Sequence, residues 1–150
     1  MKPHTLGSLL VALQFGALGA LGLTAAPALM RQPFQPWAWL LIGLSGGIGI
    51  WALLANRPGN FNIRPTPHAQ GKLVAHGPYR WIRHPMYTAV SLAGLGCTLA
   101  LGTVVAWLLW AVLSLVLLVK ALLEERWMAA LHPAYAQYQA RTRRFIPFLL

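Results

Sequence analysis

Apolar residues run almost without interruption from Ser8 to Met30 and again from Trp37 to Ala55, and neither stretch contains a charge. At 1.5 Å of rise per residue each crosses roughly 30 Å of hydrocarbon, so both are predicted membrane-spanning helices, about 8–30 and 37–55. The break between them, Arg31-Gln32-Pro33-Phe34-Gln35-Pro36, places Trp37 and Trp39 as interfacial anchors. Gly43, Gly46, Gly47 and Gly49 fall inside the second span and predict close helix packing there. A polar stretch from Asn56 to His84 follows, after which apolar character resumes at Pro85 and continues to Leu123. That run is too long for one span and fits two, about 85–101 and 103–123, turning near Gly102-Thr103. No segment alternates with strand periodicity. The expectation is an all-α polytopic membrane protein of about four transmembrane helices, a single domain over residues 1–150.

The start of the chain also has the outline of a signal peptide, with Lys2 ahead of Leu9–Leu23 and small residues at Thr24-Ala25-Ala26. We read it as a retained span.

Composition narrows the class further. With 57% hydrophobic residues, 9% charged and a mean hydropathy of +0.57, the balance excludes an ordinary soluble domain, which carries about a quarter charged residues. The single cysteine, Cys97, excludes an internal disulfide framework and reads as a buried thiol. His4, His68, His76 and His132 lack the i, i+4 spacing of a metal pair, so no metal is assigned. A net charge of +10 raises the question of nucleic acid. Laid over four spans with a cytoplasmic N-terminus, however, all the lysines and arginines but Arg31 fall on the inner side. The charge therefore sets topology and meets anionic head groups, nucleic acid is not an expected partner, and both termini are placed in the cytoplasm. A bacterial inner membrane is the expected location.

This topology brings two chemically rich segments to one surface. In Arg83-His84-Pro85-Met86-Tyr87, Pro85 suits the first turn of a helix, and the positive end of that helix beside Arg83 and His84 invites an anion such as an α-carboxylate. The only acidic residues, Glu124 and Glu125, lie at the inner end of the fourth span, where two carboxylates near hydrocarbon require compensation. Lys120, four residues earlier, is the expected partner of Glu124. His84, Tyr87, Ser91, Gly94 and Thr98 recur at helical steps and form one polar or small stripe, read as a ligand groove. Glu124–Leu131 is expected to continue the fourth helix. Pro133 then opens another with Tyr135 and Tyr138 on a face with Arg141 or Thr142, a cytoplasmic helical cap over the site. The closing Phe145-Ile146-Pro147-Phe148-Leu149-Leu150 is apolar enough to re-enter the interface.

The run from Leu73 to Tyr87 (LVAHGPYRWIRHPMY), then Glu124-Glu125, Tyr135-x-x-Tyr138 and Arg144-Phe145-Ile146-Pro147, resembles the integral-membrane S-adenosylmethionine-dependent methyltransferases. These comprise the isoprenylcysteine carboxyl methyltransferases and the phospholipid N-methyltransferases. The likeness covers about residues 61–148, and it departs from the pattern at Leu131-His132, where relatives often have Phe-Gly. It implies a S-adenosylmethionine pocket built from about 73–98 and 120–147, with Arg83, His84, Tyr87, Glu124, Glu125 and one of Gly94 and Gly96 in contact with the cofactor. Arg83 or His84 would take its α-carboxylate, and the glutamates its ammonium and ribose hydroxyls. Leu73, Val74, Tyr79 and the backbone at His76-Gly77 would receive the adenine. Trp81, Trp107 and Trp110, with Arg144, are the candidates for contacting a lipophilic acceptor entering from the bilayer. For an amine acceptor, Glu125, His84 or water is available as base. The acceptor class stays open among an isoprenylcysteine-like carboxylate, an aminophospholipid and a small hydrophobic molecule. The alternatives are an NADPH-dependent membrane reductase of the sterol type, and a lipid-binding scaffold.

Overall fold

The computed structural model describes residues 3–31, 35–56 and 73–147. The predicted polar stretch is thus described only at its two ends, and Lys2, Arg57, Arg64, His68, Lys72 and the final apolar residues from Phe148 lie outside the described residues. Among the described residues five α-helices follow one another: α1 (Pro3–Leu29), α2 (Pro36–Asn56), α3 (Pro85–Leu101), α4 (Val104–Leu131) and α5 (Tyr135–Arg141). A short 3-10 turn, Gly77–Arg80, precedes α3. Among the described residues the only strand-like pairing is a parallel bridge between Ile82 and Arg143. The protein is all-α and polytopic: α1, α2 and α4 are long and apolar enough to cross a membrane, while α3 is a shorter apolar helix.

The breaks have local causes. Gly102 ends α3 in the left-handed conformation (φ +63°) and donates its N–H to Thr98 O, a conformation that costs a residue with a Cβ. Thr103 then opens α4 by accepting from Ala106 N at 3.3 Å. The turn sits where the sequence places it.

At 17 residues α3 is short for a span, but it is the inner helix, packed against α1, α2 and α4. Leu21, Ala25, Cys97, Ala106, Leu113 and Leu117 bury the shared core. Outward-facing Leu40, Leu44, Ile50, Leu54, Val104, Leu108 and Leu115 are exposed, as lipid-facing positions of a membrane bundle are. The close approaches expected of the α2 glycines belong instead to α3. Among the described residues Gly43, Gly46 and Gly47 have no neighbour near a Cβ position, and Gly49 meets Ala89, at 3.7 Å. A Cβ on Gly96 would lie 2.9 Å from the backbone O of Ala38, and one on Gly94 would lie 2.8 Å from Leu113 Cδ2 and 3.2 Å from Trp110. Ser45 Oγ tightens the α2–α3 seam by donating to Ala89 O at 2.7 Å.

Candidate active site

The two halves of the site meet where α4 outruns the bundle. Val104–Leu131 continues well past the C-terminal end expected of the fourth span, and this extension carries Glu124 and Glu125 to the start of α3. The chain after α5 returns to the same point. Arg143 N donates to Trp81 O, Arg83 N to Arg143 O at 2.7 Å, and His84 N to Arg144 O at 3.1 Å. Thr88 Oγ1 donates to Phe145 O at 2.9 Å. Residues 142–145 are thereby stitched across the opening of α3.

An anion does sit beside Arg83 and His84, and it is the protein's own. Glu125 Oε1 accepts from Arg83 Nε at 2.8 Å, from Arg144 Nε at 3.1 Å and lies 3.2 Å from His84 Nε2. Its Oε2 accepts from Arg144 Nη2 at 2.9 Å and from Gln139 Nε2 at 3.3 Å. Arg83 is spent on the same hub, its Nη1 donating to the carbonyls of Gln139 and Thr142. A carboxylate 6% exposed at its side chain and held by two guanidiniums is a charge-compensated structural centre. Arg83 therefore has Glu125 as its anion in place of an outside carboxylate, and Glu125 has Arg83 and Arg144 as its counterions. Arg144, a candidate for the acceptor, is Glu125's bidentate partner, and hydrogen bonding to that carboxylate raises its pKa.

Glu124 has different surroundings. Its side chain is 35% exposed, and among the described residues it pairs with no arginine. Tyr87 OH donates to its Oε2 at 3.0 Å, and His84 Nδ1 lies 3.6 Å from the same oxygen. His84 therefore lies between the two carboxylates, with its ring stacked on Tyr87 (5.3 Å, 3°) and leaning on Phe145. Lys120, within electrostatic reach of Glu124, also has a partner on α1: its Nζ donates to Gln14 Oε1 at 2.5 Å, with the ammonium 5.0 Å from the centre of the Tyr87 ring. Tyr79 faces Glu124 from the 3-10 turn, and burial, reinforced by the Glu124 charge, pushes its phenol up to about 12. Tyr138 OH caps this side by donating to Tyr79 O at 2.8 Å. Tyr135, 3% exposed, is pushed up by burial and by Glu125, and Tyr138 by burial and by Tyr79.

The remaining candidates divide. Leu73 and Val74 are partly buried just before the 3-10 turn, and His76 is exposed beside them. Gly77, at φ +60°, is wedged against Ala55 and Trp51 of α2, so it turns the chain there. Gly94 is enclosed by Leu113, Trp110 and Leu21, and Gly96 by α2, so both lie at close helix packing. Trp107 and Trp110 form an edge-to-face pair, and Trp110 Nε1 donates to Ser91 O. Trp107 lies 17 positions, about 25 Å of helix, before Glu124 on α4. Trp81 packs edge-on against Trp51 with Arg80 stacked over it at 4.6 Å. Sequence reasoning missed Gln14, Gln139 and the carbonyl of Thr142. Only Gln14 had a visible signal, as the lone amide in a charge-free span.

The sequence model of the phospholipid methyltransferase family matches residues 36–135. No curated protein and no solved structure matches the chain.

Proposed function

Because the chain belongs to the phospholipid methyltransferase family and is thus a membrane methyltransferase, we propose that it moves a methyl group from S-adenosylmethionine to a lipophilic acceptor. The site would face the cytoplasm in a bacterial inner membrane with both termini inside, the side that the arginine and lysine distribution favours. One observation supports the reading above the others: of two adjacent carboxylates, Glu125 is neutralised by Arg83 and Arg144, while Glu124 stays partly exposed and is oriented by Tyr87.

The residues present suit the cationic side of the cofactor. Glu124, at the edge of a low-dielectric bundle, complements an α-ammonium and accepts from ribose hydroxyls. Tyr79, protonated at any physiological pH, and the exposed His76 offer donors. Leu73 and Val74 offer apolar surface to the base. When bound, the cofactor supplies a methyl made electrophilic by its sulfonium. The protein's part is to align that methyl with a nucleophile and to exclude water, work that the α5 cap and the stitched 142–145 segment do over the α3–α4 opening. An aminophospholipid is the acceptor class closest to the family match. Its ammonium must lose a proton, and His84 or water takes it, since Glu125 is held by its guanidiniums and Glu124 is engaged with the cofactor's ammonium. Membership in a methyltransferase family speaks against the reductase and scaffold alternatives.

Calorimetric titration of the detergent-purified protein tests this. S-adenosylhomocysteine should bind and NADPH should not, and labelled methyl should enter phosphatidylethanolamine in reconstituted vesicles in preference to a prenylcysteine. Absence of S-adenosylhomocysteine binding overturns the reading.

A further inference from the structure

Beside the Ile82–Arg143 bridge lies an open cleft of about 180 Å³, walled by Trp81, Ala140, Arg141, Arg143 and Pro147. None of the residues that hold Glu125 lines it. Its two sides are tied together, because Arg143 N donates to Trp81 O at 2.9 Å and Arg143 O accepts from Arg83 N. The space is several times the ~30 Å³ that one water occupies in the liquid, enough for a phosphate group.

Three observations say what belongs there. Arg141 and Arg143 are exposed and have no acidic partner among the described residues. The chain has only two acidic side chains, and both are committed to the cluster around His84. Neither glutamate lines the cleft, so no acidic side chain of the protein neutralises its arginines. Second, the residues that wall the cleft include two arginines and a tryptophan, and Arg80 stacks over the same Trp81 ring. Guanidiniums recognise phosphate through paired N–H donors. Third, Trp81 packs on Trp51, which is 45% exposed near the end of the membrane-spanning α2. Tryptophans at the end of a span mark the head-group level of the bilayer.

We infer that this cleft binds the phosphate of an anionic glycerophospholipid drawn from the adjoining leaflet, as a resident lipid separate from the methyl acceptor. The bound head group would brace residues 142–147, the segment whose next side chain, Arg144, closes over Glu125.

Native mass spectrometry of the detergent-purified protein, titrated with phosphatidylglycerol or phosphatidylcholine, tests the site without any cofactor or turnover, so its outcome is independent of the methyltransferase reading. The wild type should retain one phosphatidylglycerol at least tenfold more tightly than phosphatidylcholine. R141A/R143A should lose that preference, while R126A, which removes an exposed charge on α4, should keep it. Soluble glycerol 3-phosphate in excess should not displace the lipid. Equal retention in R141A/R143A and R126A, absence of any preference in the wild type, or displacement by glycerol 3-phosphate each overturns the proposal, the last by identifying a free phosphate as the ligand. Arginines on the surface are not expected to support folding, and unchanged melting of the double variant establishes that its loss is local.

Discussion

Arg83 at the opening of α3 and Glu125 on α4 are joined at 2.8 Å with side chains 8% and 6% exposed, so the two halves of the candidate site are locked by a buried ion pair. Arg144 adds a second guanidinium from the chain terminus. Neutralising Glu125 therefore strands two cations. Glu125→Gln should destabilise the protein by about 3–5 kcal/mol, the range for breaking a buried pair, and a sharp fall in melting temperature in detergent is the expected readout.

Tyr87 OH donates to Glu124 Oε2 at 3.0 Å. Tyr87→Phe deletes this bond and leaves the ring against His84. Losing a bond worth about 0.5–1.5 kcal/mol, or somewhat more with a charged acceptor, should weaken S-adenosylhomocysteine binding several-fold while melting stays near that of wild type. Equal affinity would remove Tyr87 from the site.

The glycines give a packing test. A methyl on Gly96 meets backbone at Ala38 O, which cannot swing away, whereas one on Gly94 meets the ends of the Leu113 and Trp110 side chains. Gly96→Ala should cost about 1–3 kcal/mol or more, as overpacking does, and Gly94→Ala less. Gly43→Ala and Gly46→Ala should be close to neutral, since nothing lies near either position. Melting of the four variants orders them.

Tyr79 sets a pH dependence at the alkaline end. Its phenol is raised from 10.0 to about 12 by burial first and by Glu124 second. The folded state thus holds a proton that the unfolded chain releases, so this contribution to stability is complete below pH 10 and disappears as pH rises through about 12. Ultraviolet titration of the tyrosinates should show Tyr79 ionising earlier in Glu124→Gln, because a negative charge facing it has gone.

Much of this architecture was legible in the chain. Charge-free runs gave the apolar helices, Gly102-Thr103 gave the turn, and Arg83, His84, Tyr87, Glu124 and Glu125, grouped from the sequence, do lie within hydrogen-bond reach of one another. What periodicity cannot supply is partner choice. Glu124 and Glu125 are neighbours in sequence, yet successive residues on a helix point about 100° apart, and one faces the arginines while the other faces Tyr87. Lys120 has Glu124 four residues away, yet it also reaches the amide of Gln14 across the bundle, a partner that spacing along the chain does not indicate. The α2 glycines read as packing positions by spacing alone, although contact depends on which helix lies opposite.

The division of labour between the carboxylates is the central claim, and calorimetric titration of S-adenosylhomocysteine into Glu124→Gln, with its melting recorded alongside, tests it most directly. Removing a charge-assisted hydrogen bond worth about 1.5–3 kcal/mol corresponds to roughly ten- to hundredfold weaker binding. The account predicts that loss in a protein that melts like wild type. Wild-type affinity in a folded Glu124→Gln variant would contradict it.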